Sequence, residues 1–430
     1  MITILSKLLL LFWAMIAIAK SPFMGATASD ILGGKGLTVW QLTDLRKKIE
    51  QQPYECKVYQ ALVGFVFLND LLKAFVAQQE RMLLSENWVE KPRGLPAAFV
   101  QKITVPADAC IVTMGDLHGD SCSLNDLIQC WQKPDRDRPA ILDAQLRIRT
   151  PKTYIVGLGD YVDRADGGTE IWALLAQLKA VNPHHVVLLR GNHENKSINE
   201  SYGFLRELCC KYGAKKAVVL MNQFVNVYRA LPSALLVEVK NASQARDCVL
   251  FCHGSIEVGI DLRPVLSSPA AQYQAIDRID RASLWAQFLA DIAPQEFVYA
   301  STLEETLLGL EWGDFCLDDE RISYQDGRGL KADKVLTQTW LNHMSIPGHR
   351  VRAIVRAHQH GSDNDIDLLK KNGGVYQLWD KTVTTVVSCM PLLCRMRKID
   401  IMSTAFLTLH VASTFEQWRY QTQCTPAYAR

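Results

Sequence analysis

The chain carries almost no excess of charge. Its 47 lysines and arginines face 45 aspartates and glutamates, leaving +2. That balance supplies no overall field for nucleic acid or an anionic membrane. Internal repeats and low-complexity tracts are absent, which excludes solenoid and linker-like architectures. None of the 12 cysteines has a C-x-x-C partner, so zinc-ribbon and dithiol redox motifs are missing. Most sit in apolar stretches such as Val249-Leu250-Phe251-Cys252 and read as buried thiols rather than a disulfide framework. Long hydrophobic runs are also scarce. The run from Leu8 to Ala19 follows Lys7 and ends in Ala17-Ile18-Ala19, the pattern of a signal-peptide core and cleavage site. It is short for a membrane span, and a single anchor giving membrane contact is the alternative. A start at Met24 would instead expose Met24-Gly25-Ala26-Thr27-Ala28-Ser29, an N-myristoylation pattern. The compartment stays open between these readings.

At 430 residues and 48% hydrophobic content, the chain can build one large domain or two ordinary ones. Apolar residues from Leu37 to Gln79 recur at helical spacing, so residues 37–100 are expected as a helical region packed on the rest of the chain. From Lys102 strands and helices alternate. Strands are expected at Ala109 to Met114, Tyr154 to Leu158 and His185 to Leu189, with helices at Leu124 to Trp131, Glu170 to Lys179 and Tyr202 to Tyr212. Later strands at 234–239, 249–252, 351–356, 382–388 and 405–411 lack comparable helices between them, apart from one at Lys334 to His343. The expected fold class is therefore α/β, with a central β-sandwich of mixed sheets flanked by helices. The expected organisation is a hydrophobic leader at 1–20, the helical region at 37–100, a catalytic domain at 101–415 and a tail at 416–430. Residues 133–152, charged and proline-bearing, and 267–308, a long helical stretch, read as insertions.

Five short segments carry chemistry: Gly115-Asp116-Leu117-His118-Gly119, Gly159-Asp160-Tyr161-Val162-Asp163-Arg164, Arg190-Gly191-Asn192-His193-Glu194, Cys252-His253-Gly254 and Arg356-Ala357-His358. Each ends or follows an apolar run, so each places a polar group on a loop at a strand's end. Carboxylate, imidazole and amide oxygen are the donors that hard or borderline divalent metals take, and only Cys252 adds a thiol. Two such metals close together can ionise a water and polarise a phosphoryl group. One Gly-Asp or His-Gly step is usually only a turn; five in order point to a two-metal phosphoesterase site. His184, His185, His343, His349, His360 and His410 lie outside the pattern and read as ordinary histidines.

These segments, with RGNHENKSINESYGF from Arg190, LPSALLVE from Leu231, LEWGDF from Leu310 and Arg328-Gly329, resemble the ordered signature of the calcineurin-like metallophosphoesterases. The branch resembled is the phosphoprotein phosphatase family, that of the serine/threonine protein phosphatases, over roughly Ile111 to Val411. The resemblance implies that Asp116 and His118 bind a first metal, that Asp160 bridges both, and that Asn192, His253 and His358 complete the second. It implies Mn2+, with Fe or Zn as alternatives. His193 would be the general acid, oriented by Asp163. Arg164 and Arg328 would clamp the phosphoryl oxygens with help from Asn192, and Tyr202 would lie at the cleft rim.

The implied activity is hydrolysis of phosphoserine and phosphothreonine in protein substrates by a metal-activated water. Regulatory subunits are not legible. The chain departs from the family at Ala165, at Gly254-Ser255 and above all at Ser388-Cys389-Met390-Pro391-Leu392-Leu393-Cys394, where the family's cleft loop carries a tyrosine. That departure leaves a phosphotyrosine preference as the main alternative, and a dinucleoside polyphosphate or other small phosphoester as a further one. A signal-like N-terminus on a phosphatase of eukaryotic type would suit a bacterial protein delivered into a host cytosol.

Overall fold

The computed structural model describes residues 39–50, 61–134, 139–240, 245–277, 279, 308–317, 322–325, 328–398, 400 and 402–425. The leader at 1–20 and most of the stretch at 267–308 lie outside these residues. Among the described residues no helix is long and apolar enough to cross a membrane.

In chain order the elements are α1 (Val39–Glu50), α2 (Phe65–Ser85), β1 (Phe99–Val105), β2 (Cys110–Met114), α3 (Ser121–Gln132), β3 (Thr153–Gly157), α4 (Gly168–Val181), β4 (Val186–Leu188), α5 (Lys196–Tyr202), α6 (Phe204–Tyr212) and α7 (Ala214–Arg229). They continue with β5 (Ala234–Lys240), β6 (Arg246–Cys252), α8 (Arg263–Ser267), β7 (Tyr273–Ala275), α9 (Gly309–Trp312), β8 (Asp314–Phe315), β9 (Ser323–Gln325), β10 (Gly329–Ala332) and α10 (Lys334–Met344). The last are β11 (His349–Arg356), α11 (Asp363–Lys371), β12 (Val375–Leu378), β13 (Val383–Val386), α12 (Met390–Met396), β14 (Ala405–His410) and β15 (Arg419–Cys424).

Two sheets face each other as a sandwich. One has the order β12-β13-β11-β6-β5-β1-β7 and the other β15-β14-β2-β3-β4. Between them lies an apolar layer that includes Leu235, Val237, Val249, Phe251 and Val355 from the first sheet, and Ile111, Val156, Leu158, Val187 and Leu407 from the second. A side chain on a strand alternates between faces, so these residues fill the inner layer while their neighbours pack outward under helices. The seven-stranded sheet's outer face is covered by Leu336, Trp340 and Leu341 of α10 and Ile366 and Leu369 of α11, among others.

The outer face of the five-stranded sheet carries the largest cluster. Leu68, Leu71, Leu72 and Phe75 recur at three- and four-residue spacing on α2, which gives one apolar stripe. That stripe and Leu42, Leu45 and Ile49 of α1 join Trp131, Trp172 and Phe224 in one buried group. Trp172 is its hub, with ring centroids 6.0 Å from Phe75, 5.3 Å from Tyr161 and 6.2 Å from Phe224.

Several expectations are corrected. Tyr202 to Tyr212 is not one helix: Gly203, at φ 122°, breaks it into α5 and α6. The stretch 351–388 does hold a helix between strands, α11, started by a capping box in which Ser362 and Asp365 bond each other's backbone N–H. The segment at 388–394, where the resemblance implied a cleft loop, turns into α12. Within 267–308, Tyr273–Ala275 is an edge strand antiparallel to β1, not helix. Within the expected tail, Arg419–Cys424 is a strand paired with β14 along its whole length. The eleven described cysteines are free thiols.

Placement of the site follows from strand direction. β2, β3 and β4 run parallel in one sheet, and β6, β11 and β13 run parallel in the other. Their C-terminal ends therefore open onto loops at a common edge of the sandwich, where loops from parallel strands form ligand crevices. A bridge between Asp116 and Val387 joins the two sheets there.

Truncating the hub tests how far the N-terminal helices depend on it. Trp172 is fully buried, so Trp172→Ala is expected to cost roughly 3–5 kcal/mol of unfolding free energy in denaturant titration. Trp172→Phe keeps a ring and deletes an indole N–H that has no acceptor, so it should cost less. A loss below about 1 kcal/mol for the alanine variant would contradict the packing described.

Candidate metal centre

The ligand-type residues are held by strained loops. His118, Asp160, Asp163, Arg164 and His358 all have φ between 46° and 70°, a left-handed conformation that side chains other than glycine rarely adopt. Such strain persists only where surrounding contacts over-determine it, and it collects at functional sites. Here the contacts are visible. Leu117 and His118 donate their backbone N–H to the Asp160 carbonyl at 3.0 and 2.8 Å, and Ala165 N–H reaches the His118 carbonyl at 3.1 Å. Glu194 ties two loops together, accepting N–H bonds from Asp160 (2.7 Å), Tyr161 (2.9 Å) and Gly191 (2.9 Å). Gly191 permits that approach, since a Cβ there would sit 2.2 Å from Asp160 Oδ1.

Three groups of donor atoms result, each with its members within 4.8 Å of one another: Asp116, His118 and His360; His118, Asp160 and His193; Asp160, His253 and His358. Asp160 belongs to two of them and is central. Its Oδ2 lies 3.2 Å from His253 Nε2 and 3.6 Å from His118 Nε2, and its Oδ1 accepts the His193 backbone N–H at 2.9 Å. Asn192 Oδ1 sits 3.0 Å from both His253 Nε2 and His358 Nδ1. His253 Nδ1 is engaged by the Leu158 carbonyl at 2.9 Å, which leaves Nε2 to face the cluster, an arrangement typical of metal-binding histidines.

The donor set fits divalent cations. Imidazole nitrogens approach one another at 3.1 Å (His118 and His360) and 3.2 Å (His253 and His358), which requires a proton or cation between their lone pairs. Asp116 Oδ1 is buried with no hydrogen-bond donor, although three histidines surround it at 3.6–3.9 Å. Burial pushes the Asp160 carboxyl up, but attraction to His253, His193 and His118 outweighs it and holds the group well below the usual carboxylate range. Burial, with Arg164 and His193 adding to it, holds the His118 imidazole well below its ordinary value, so its lone pair is free. Cys252 stands apart: its thiol faces the Gly254 and Ser255 carbonyls and burial pushes it up to about 12. The site is one of oxygen and imidazole donors.

Of the residues expected at the site from the sequence, Asp116, His118, Asp160, Asn192, His253 and His358 converge at the cluster. His193 Nδ1 pairs with Asp163 Oδ2 at 2.8 Å. Arg164 stands beside it, its backbone N–H on the Tyr202 carbonyl and its buried Nε without an acceptor. Arg328 is bonded to Asp314 through Nε and Nη2 and lies 3.1 Å from His358 Nε2. Tyr202 is exposed, its ring edge-on to His193 at 5.2 Å.

His360 corrects the reading of it as an ordinary histidine, since it completes the group with Asp116 and His118. Its two-residue spacing from His358 was the available signal: two rings on one short loop can meet one cluster. Asn199 was missed as well. It is fully buried and donates to Asp163 Oδ2 at 2.8 Å and the His193 carbonyl at 2.7 Å, while Tyr228 donates to its Oδ1 at 2.9 Å.

Glu194 yields a test that is independent of turnover. Burial and the nearby Asp160 charge push its carboxyl up to about 8, yet both oxygens act only as acceptors, the geometry of an ionised carboxylate. Glu194→Gln places an amide N–H against backbone N–H groups and should lower metal affinity roughly 10- to 100-fold by metal titration. Unchanged affinity would mean that the group is protonated and the carboxamide an adequate replacement.

Among solved structures, a yeast (Saccharomyces cerevisiae) protein serine/threonine phosphatase with similarity to human phosphatase PP5 aligns over 84% of this chain and 91% of its own, at 19% identity and a TM-score of 0.52. A cold-active protein-tyrosine phosphatase from a psychrophilic Shewanella aligns over 76% and 83%, at 17% identity and a TM-score of 0.40. The first likeness shows a shared fold. Residues 111–362, which contain the five segments and His360, match the profile of the calcineurin-like phosphoesterases. With its fold and clustered donors, this chain belongs to the calcineurin-like phosphoesterase family.

Proposed function

We propose that this phosphoesterase is a protein phosphatase of the phosphoprotein phosphatase branch, removing phosphate from serine and threonine side chains with two divalent cations, Mn2+ first among them. The observation that carries this reading is the relay beside the donor cluster. His193, Asp163, Asn199 and Tyr228 form a chain of hydrogen bonds of 2.8–2.9 Å that fixes one imidazole edge toward the cluster. Asn199 belongs to the SINESYGF stretch, whose resemblance is to protein-directed phosphatases.

Asp116, His118 and His360 would hold one cation and Asn192, His253 and His358 the other, with Asp160 between them. When bound, the pair supplies a water ionised at neutral pH and neutralises phosphoryl oxygens. The protein's own groups do the rest. Arg164 presents an unpartnered Nε, and Arg328 is held in place by two bonds to Asp314. Planar guanidinium groups from two sides can clamp the phosphoryl oxygens. Asn192 turns its Oδ1 to the histidines, which leaves its Nδ2 for an ester oxygen. As the phosphorus–oxygen ester bond breaks, the leaving serine or threonine oxygen needs a proton. His193 can supply it from Nε2, because Asp163 on Nδ1 balances the charge of the imidazolium.

A second reading, phosphotyrosine, is favoured by α12. It lies in the stretch that corresponds to the family's cleft loop, and no tyrosine occurs between Ser388 and Lys398.

The test is a panel of phosphoserine, phosphothreonine and phosphotyrosine peptides with Mn2+, together with metal analysis of two variants. Asp116→Ala should lose metal and activity together. His193→Ala should keep its metal and lose turnover by roughly 100-fold or more. Metal loss in His193→Ala would make that residue a ligand rather than the acid. Preference for phosphotyrosine, or for small phosphoesters alone, would contradict the serine/threonine assignment.

A further inference from the structure

We propose that Arg397 is a specificity-determining residue that receives an acidic side chain flanking the phosphorylated residue of a substrate. The inference rests on the protein-phosphatase reading above. It comes from the stretch after β13, which departs from the family sequence.

That stretch is fastened at its start. Cys389 donates its N–H to the Asp116 carbonyl at 2.8 Å, and Ser388 Oγ accepts the Gly115 N–H at 3.0 Å. Pro391, Leu392, Leu393 and Cys394 are buried on α12. Ser388 to Lys398 contains three cations, Arg395, Arg397 and Lys398, and no acid. Arg395 is drawn inward toward Asp120, with Nη2 at 3.4 Å from its Oδ2.

Arg397 points elsewhere. Its Nη2 donates to the Gly361 carbonyl at 2.7 Å, on the residue directly after His360. A Cβ on Gly361 would lie 3.6 Å from Nη1 of Arg328. Arg328 and Arg397 thus flank one glycine. A peptide whose phosphoryl group is held at Arg328 passes Arg397 with its neighbouring residues. The carboxylate partner of Arg397 is Asp363, whose side chain is 92% exposed. An ion pair so open to water contributes little and exchanges readily. Asp363 therefore stands in for the substrate carboxylate that would displace it. Met396, also exposed, offers apolar surface beside the same position.

The contrary explanation is that Arg397 merely braces the loop from His358 to Asp363. The two roles separate when the charges are changed independently. The full chain with Mn2+ is assayed on three phosphopeptides differing only in Glu, Gln or Lys beside the phosphorylated residue, with p-nitrophenyl phosphate as a reference. Wild type should prefer Glu over Gln over Lys, chiefly through KM, and the preference should shrink in high salt. Arg397→Gln should lower the Glu-to-Gln ratio of kcat/KM by about three- to fivefold, and Asp363→Asn should raise it. A brace predicts that both variants depress kcat on every peptide by one factor, with the ratio unmoved. That result, or a wild type indifferent to charge, overturns the inference while leaving the phosphatase reading intact. Hydrolysis of p-nitrophenyl phosphate with no peptide cleaved overturns both.

Discussion

Two fully buried carboxylates, Asp116 and Asp160, stand among imidazole rings at the edge where both sheets of the sandwich end. Taking a carboxylate out of water costs several kcal/mol unless opposite charge or hydrogen bonds replace the lost hydration. The surrounding loops are shaped by that requirement. Parallel strands from each sheet bring His118, His253, His358 and His360 within reach. Glu194 holds the Asp160 loop against the Gly191 loop, and left-handed backbone at five site residues turns the side chains inward. Removing any one support would leave charge or lone pairs facing each other in a dry interior.

The same constraint separates positions that tolerate change from positions that do not. Inside the cluster, donor atoms lie 3.0–3.9 Å apart, and the histidines are aligned by carbonyls such as that of Leu158. At the rim, Tyr202, Met396, Arg397 and Asp363 are exposed and none belongs to the donor groups. The donor residues sit at the strand ends, and α12 reaches them through its N-cap residue Cys389, whose N–H bonds the Asp116 carbonyl.

Much of this was legible in the sequence for a physical reason. A short buried strand is a run of apolar residues, and a polar Gly-Asp or Cys-His step directly after it can lie only at the strand's end. Asp116, Asp160, Asn192 and His253 were readable in that way. His360 was not, because it follows a loop residue rather than a strand, and its partner His118 is 242 positions away in the chain. Asn199 lies inside a polar helical stretch and gains meaning only from the folded neighbours Asp163 and Tyr228. The apolar run Met390 to Cys394 has no period that tells a short helix from a strand end, and tertiary packing decided it. Arg419 to Cys424 is mostly polar because it is an edge strand with little burial on either face, Tyr420 alone packing against the inner layer.

Metal stoichiometry tests the paired centres most directly. Elemental analysis of the purified chain after equilibration with Mn2+ should find about two ions per molecule, as the proposed assignment of Asp116, His118 and His360 to one ion and of Asn192, His253 and His358 to the other requires. His360→Ala should fall to one, with His253 and His358 still binding the second. Two ions retained by His360→Ala at unchanged affinity, or a single ion in the wild type, would contradict it.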